Sequence, residues 1–340
     1  MSLTGTPQSP REQQFGFAEQ TVYGTAEADS AAFTEVDCEP LVVNRDVKLI
    51  EVQGAHGYRD RHANNIIVTG KACLPSFTVT TPIKREDLAI YLAAFFQAVT
   101  EGATTPFSKT FTLHQTQPDF LSSAGYFYTW IARDVAASKS VKVKDCILRA
   151  LTLKIAGGAE PAMLTAEWVG RGLAAVNANP SGTWTPNANT NIYLREDIDR
   201  VTVNFGAGAL SFHLVEAELS FSRDIVGVGQ DGSGQYRLVH TTNPIGNAKI
   251  KVVKDSDWET VRTNHAAGTA IDFNLGFGNV SPGTVSGDLD ITGHALIDGP
   301  AGEELAQDEP LAGTINCHLV RATATEPITI IFADAVDHTW

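Results

Sequence analysis

Apolar and polar positions alternate along most of this chain in strand-length runs, and one run departs from that rule. "LSFHLVEAELSFSRD" (210–224) places Val215, Ala217, Leu219 and Phe221 on one side and Glu216, Glu218, Ser220 and Ser222 on the other. That is the period of a half-buried strand. Further strand runs stand at 39–53, 66–82 (interrupted near Pro75), 107–115, 126–133, 144–157, 162–172, 247–254, 270–277, 287–297, 313–322 and 326–334. Glycine and proline in "GGAEP" (157–161) predict a hairpin between its flanking strands. In "IKREDLAIYLAAFFQAV" (83–99), by contrast, Leu88, Leu92 and Phe95 recur at i, i+4 and i+7, and Tyr91, Phe96 and Val99 widen the stripe. This spacing predicts an amphipathic helix. Glu86 and Asp87 suit its start and Gly102 its end. A weaker helix is predicted in "DSDWETVRTNHAAG" (255–268), with acidic residues early, Trp258 and Val261 at i, i+3, and a closing glycine.

The order of these elements repeats: strand, long loop, strand, short helix, then antiparallel strands. The two helices stand about 170 residues apart. The long loops are "GAHGYRDRHANN" (54–65) and the glycine-rich "GVGQDGSGQ" (227–235). Residues 1–30 are polar and read as an arm. "LAAVNANPSGTWTPNANTN" (173–191) has linker composition and no periodicity. The expected organisation is an arm plus first domain over 1–175, a linker at 176–191, and a second domain over 192–340.

Charge narrows the function. The formal net charge is −14, the opposite of the clustered Lys and Arg that a sequence-general nucleic-acid binder needs. No run approaches the ~18 apolar residues of a membrane span, and "MSLTGTPQSPREQQFGF" lacks the apolar centre of a secretory signal. Cys38, Cys73, Cys146 and Cys317 are far apart and read as reduced thiols, with Cys146 and Cys317 in apolar strands.

Candidate chemistry dissolves on inspection. Gly227, Gly229 and Gly232 match G-x-G-x-x-G, but "SGQYRLVH" after them reads as strand, where a dinucleotide site needs a helix. His56 and His62 share one polar loop, and solvated loop residues are the better reading than a metal pair. Asp255, Asp257 and Glu259 are explained as helix-start carboxylates. "NVS" (279–281) precedes Pro282 and is uninformative as a glycosylation acceptor. There is no G-x-S-x-G and no cysteine in a nucleophile setting; Trp130 and Trp168 read as core or interface. No catalytic, metal or cofactor site is expected, and the protein is not expected to be an enzyme. Two classes remain: a self-assembling structural protein, or a soluble two-domain β protein with carbohydrate-binding or hydrolase activity.

Several stretches together resemble the tail tube proteins of long-tailed bacteriophages, in the form with two fused tube domains. They are "FGFAEQTVYGTAEADSAAFTEV" (15–36), "TVTTPIKREDLAIYLAAFF" (78–96) with its weaker partner at 248–266, and "KDCILRALTLKIAGGAEPAMLTAEWVGRG" (144–172). The resemblance covers nearly the whole chain and rests on the order of the stretches. It implies a mainly β fold: two tandem β-sandwich or split-barrel tube domains, each with one short flanking helix. It implies trimeric rings of this chain stacked into a hollow tube through which genomic DNA passes unbound. A tape-measure protein and tail terminator or initiator proteins are the implied partners. The implied location is the virion tail, after synthesis in the host cytoplasm. The loop 54–65 is then expected to stack ring on ring through His56, Tyr58, Arg59, Asp60, Arg61 and His62. Strand alternation nominates Glu167, Glu216 and Glu218 for a net-negative lumen wall.

Overall fold

Alternating strands need partners, and this chain provides them in two series. The computed structural model describes residues 13–28, 31–36, 38, 48–51, 66–70, 74–103, 107–113, 127–134, 139–155, 160–174, 177–178, 193, 198–204, 206, 208–230, 236–242, 244–277, 288–298, 302–304, 312–322 and 326–334. The first series comprises β1 (Gln13–Glu19), β2 (Thr34–Glu35), β3 (Lys48–Glu51), β4 (Ile66–Gly70), β5 (Ser76–Pro82), helix α1 (Arg85–Phe96), β6 (Gln97–Glu101), β7 (Phe107–Leu113), β8 (Tyr128–Asp134), β9 (Lys139–Ile155), β10 (Met163–Val169), β11 (Gly172–Leu173) and β12 (Asn177–Ala178). The second comprises β13 (Ile198–Asn204), β14 (Ala209–Ser211), β15 (Leu214–Ser222), β16 (Ile225–Gln230), β17 (Tyr236–Thr241), β18 (Ile245–Val253), helix α2 (Trp258–Ala266), β19 (Ala270–Phe277), β20 (Leu289–Ile297), β21 (Gly302–Glu304), β22 (Ala312–Leu319) and β23 (Ile328–Asp334). The protein is mainly β. Among the described residues no helix is long and apolar enough to cross a membrane.

The two series pair in the same order, antiparallel throughout. The first runs β2–β1–β8–β9–β10–β5. The second runs β14–β13–β19–β20–β22–β18. Two junctions join them into one large sheet system: β15 pairs with both β9 and β18, and β23 pairs with both β20 and β7. The result is an unbroken run β5–β10–β9–β15–β18–β22. One hydrophobic cluster draws on both series. In its first-series part Phe17 stacks on Trp130 at 5.0 Å between ring centroids, and Trp130 lies 5.3 Å from Trp168.

β9 changes partners midway. Its first part pairs with β8, β11 and β12, its second with β10 and β15. The turn-over falls at Asp145, a buried residue with φ 51. Gly170 makes the crossing possible on the neighbouring strand. A Cβ there would stand 2.3 Å from Val143 Cγ1 and 3.3 Å from Cys146 Sγ, so any side chain would force the strands apart.

Several expectations need correction. Residues 13–19 are no arm: β1 lies in the sheet with Phe15, Phe17 and Ala18 buried. The predicted linker contains β12, which closes onto β9, while 179–191 lie outside the described residues. β13 carries mixed charge at its start and escaped the alternation reading. Of the predicted glycine-rich loop 227–235, residues 227–230 are strand, since β16 pairs with β17, and 231–235 lie outside the described residues. Helix α1 stops at Phe96, short of Gly102. Gln97 takes the left-handed conformation at φ 60, and the chain passes directly into β6, which holds Val99. Nor is α1 one-sided: Leu88, Ala89 and every residue from Tyr91 to Phe96 are buried, as in a helix enclosed by its domain. Helix α2 meets its prediction, burying Trp258 and Val261 and closing at Gly268, φ 66. Cys146 and Cys317 are buried free thiols, and burial pushes Cys317 up to about 12.

Candidate functional site

The long run β5–β10–β9–β15–β18–β22 has two unlike faces. One carries Val79, Ala166, Leu151, Leu219 and Ile250, each fully buried in the core. Each large aliphatic side chain so buried contributes about 1.5–3 kcal/mol, which fixes the register, since a slip of one residue would turn the apolar set outward. The other face is polar. Across it Thr80, Thr165, Thr152, Ser220, Asn247 and His318 stand in register, one per strand. A row of small hydroxyl and amide groups makes a smooth, wettable strip. His318 ties its end down, 2.5 Å from Asn247 Oδ1 and 2.8 Å from Asp298 Oδ2.

All three nominated glutamates lie on this face, and each has a basic neighbour. Glu167 accepts a hydrogen bond from Arg149, the bulged residue of β9. Glu216 stands opposite Lys251 and accepts from Lys249 at 3.1 Å. Glu218 is flanked in register by Lys154 on β9 and Lys249 on β18. Directly opposed cross-strand side chains have Cβ atoms about 4.5–5.5 Å apart, so these charges meet as a checkerboard. The alternation of β15 stops at Val215, a bulge between Leu214 and Glu216 that leaves this residue only half-buried.

Two buried polar constellations hold this sheet to its surroundings. At the turn-over of β9, the Asp145 carboxylate accepts from Gln20 Nε2 (2.5 Å), the Gly24 backbone N–H (2.6 Å) and Arg171 Nε (2.6 Å). The Asp145 N–H donates to Gln20 Oε1 at 2.9 Å. Arg171 reaches on to the Tyr236 carbonyl at 2.9 Å and lies 5.0 Å above the Tyr23 ring. The network thus fastens residues 20–24 and the turn end of the β16–β17 hairpin to one point. At the junction of the series, buried Arg223 donates to the carbonyls of Leu148 (2.9 Å) and Ala94 (3.2 Å) and to Gln97 Oε1 (3.1 Å). Burial pushes its guanidinium down to about 9, still above neutral pH, so the side chain is a cation in the folded protein. Its partners at the C-terminal end of α1 are where a helix favours positive charge.

Both two-stranded hairpins, β3–β4 and β16–β17, form sheets of their own apart from the large one. On β16, Val226 and Val228 are 50% and 49% exposed. Gly227 between them lies beneath the Tyr236 ring, whose Cγ is 2.4 Å from where a Cβ would be. Its glycine is therefore a packing requirement, where the sequence suggested a loop. The predicted stacking residues His56, Tyr58, Arg59, Asp60, Arg61 and His62 lie outside the described residues; the strands flanking them, β3 and β4, pair from Glu51↔Ile66 outward.

Asp145, Arg171 and Arg223 were not singled out from the sequence. A signal was present for the last. "LSFSRDI" (219–225) runs into β16, and "LVVNRDV" (41–47) precedes β3 with the same Leu, Arg and Asp spacing. Compared with known proteins, the chain matches no family model and no curated protein.

Proposed function

We propose that this chain is a structural, non-enzymatic protein that assembles with copies of itself into stacked rings, as the tail tube proteins of long-tailed bacteriophages do. What supports this most is the way the two strand series join. β9 gives one edge to β10 and the other to β15, so the second series is docked on the first by strand addition. In the second series β20 and β21 occupy the place of β9: both pair along one edge with β22, at 295–297 and 302–304. Among the described residues β21 pairs with β22 alone. An edge strand is a template for further pairing, and a repeat of the internal junction between copies is a head-to-tail contact that closes into a ring when the rotation allows. The recurrence of the Leu–Arg–Asp pattern at 41–47 puts a sequence like that of the β15 end at the corresponding place in the first series.

On this reading the chain is two tandem tube domains, three copies make a ring with pseudo-sixfold symmetry, and the polar face of the long sheet lines the lumen. Genomic DNA passes through it within a virion tail assembled in the host cytoplasm. Tape-measure, terminator and initiator proteins are the expected partners. Electron microscopy of the purified protein tests it, with threefold rings or tubes as the expected result. Rings of six chains refute the count, and monomers at every concentration refute the assembly. Arg45→Glu is expected to fold with unchanged circular dichroism yet form no rings.

A further inference from the structure

The polar face of the long sheet has a property that does not depend on assembly. Four basic side chains, Arg149, Lys154, Lys249 and Lys251, stand on it against four acidic ones, Glu167, Glu216, Glu218 and, at the His318 end, Asp298. A chain of net charge −14 therefore carries, on one face, a surface that is close to neutral. The basic residues span three adjacent strands, and Lys154 and Lys249 are both exposed. Without the carboxylates they would form a cationic patch of the kind that neutralises phosphates. With them, every amine on β18 faces a carboxylate on β15.

We propose that the three glutamates mask a duplex-DNA-binding surface, so that a polyanion is tolerated along this face without being retained. Net repulsion is not the device. A strongly negative wall would exclude DNA, and an uncompensated basic wall would hold it. A compensated wall does neither, because a phosphate approaching a lysine gains no more than the lysine already has from its glutamate. The ion pairs are half-exposed, so each contributes little to folding; their consequence lies in what they deny to a ligand.

The test uses the full chain and a short labelled DNA duplex, followed by fluorescence anisotropy across a salt series. The wild type is expected to retain no duplex at about physiological salt. The triple variant Glu167→Gln, Glu216→Gln, Glu218→Gln removes the carboxylates that face these four basic side chains and is expected to bind. If all four meet phosphates, the logarithm of its affinity falls with that of salt at a slope of about −3 to −4. That is roughly a hundredfold loss between about 50 and 200 mM. Adding Lys154→Gln and Lys249→Gln to the triple variant is expected to abolish the gain. Glu218→Gln alone, which leaves the Glu216–Lys249 pair in place, is expected to give a smaller gain. Retention by the wild type overturns the proposal. So does a folded triple variant, or a folded single variant, that binds no more tightly than the wild type, or binding without salt dependence. Microscopy of the same preparations reports assembly separately. A wild type without rings whose variant gains salt-dependent affinity removes the assembly and leaves the masking in place.

Discussion

Helices α1 and α2 occupy the same place in their two strand series, each following the strand at the end of its series, yet their surroundings differ. α1 is enclosed: eight of its residues are buried, Phe96 packs on Phe221 of β15 at 5.2 Å, and Arg223 is bonded at its C-terminal end. α2 buries two residues and leaves the rest to solvent. The chemistry follows the context: α1 reads "REDLAIYLAAFF" and α2 reads "WETVRTNHA". Phe221 and Arg223 of the second series add to an enclosure that β6, β7 and β9 build within the first. The difference shows that helices at the same place in a repeated order take their composition from what packs on them.

Substitutions can break this comparison. The largest effect is expected at the first series' own anchor. Asp145→Ala leaves the Arg171 guanidinium buried without its carboxylate and strands the Gln20 and Gly24 donors, a loss of about 3–5 kcal/mol. Chemical denaturation measures it, and a loss under about 1 kcal/mol would mean the network is incidental. Within α1, Leu92→Ala removes a fully buried side chain and is expected to lose about 2–5 kcal/mol. Arg223→Met keeps most of the volume but leaves three acceptors short of a donor, for a loss of about 2 kcal/mol. If the α1–β15 contact is what separates the helices, hydrogen exchange in α1 rises in this variant while exchange in α2 does not change.

On the exposed side of α2, Glu259→Ala removes an ion pair to Arg262 (2.8 Å) and is expected to move stability by less than about 0.5 kcal/mol. A larger loss there would contradict the open character of α2. The smallest effect concerns pH. Partial burial, then the charge of Glu27, raises the Glu19 carboxyl. Ionisation of Glu19 therefore works against the fold. Stability from this group is present below its unfolded value and is lost as pH rises through the folded one. Glu19→Gln is expected to be slightly more stable than the wild type at neutral pH, with the gain fading in acid. An equal or greater gain at acid pH would show that the charge of Glu19 is not the cause.

How far the sequence speaks for the structure depends on the range of the interaction. β15 is legible because its period is local: Ala217, Leu219 and Phe221 are buried as their spacing requires. The β9–β10 hairpin is legible from its own turn. α2 is legible because its few buried residues and closing glycine are intrinsic to it. The extent of α1 is not, since Gln97 ends it where β6 must meet β7, a demand that lies outside the helix. β16–β17 was hidden by glycines whose reason, the Tyr236 ring over Gly227, is nine residues away. Glu216 and Glu218 could be placed on a polar face by alternation alone. Their lysine partners depend on how β9 and β18 register against β15, which no local pattern encodes.

The pairing of β23 with β7 has a consequence in time. Thr112 and Thr329 are partners across about two hundred residues of chain, and contacts of such separation form slowly. β23 leaves the ribosome after every other described strand, so while the protein is being made, the edge of β7 that it will cover stays open. Completion of the first series is thereby tied to translation of the second. A nascent chain cannot present a finished first unit ahead of schedule, and synthesis itself sets the moment at which that edge is covered.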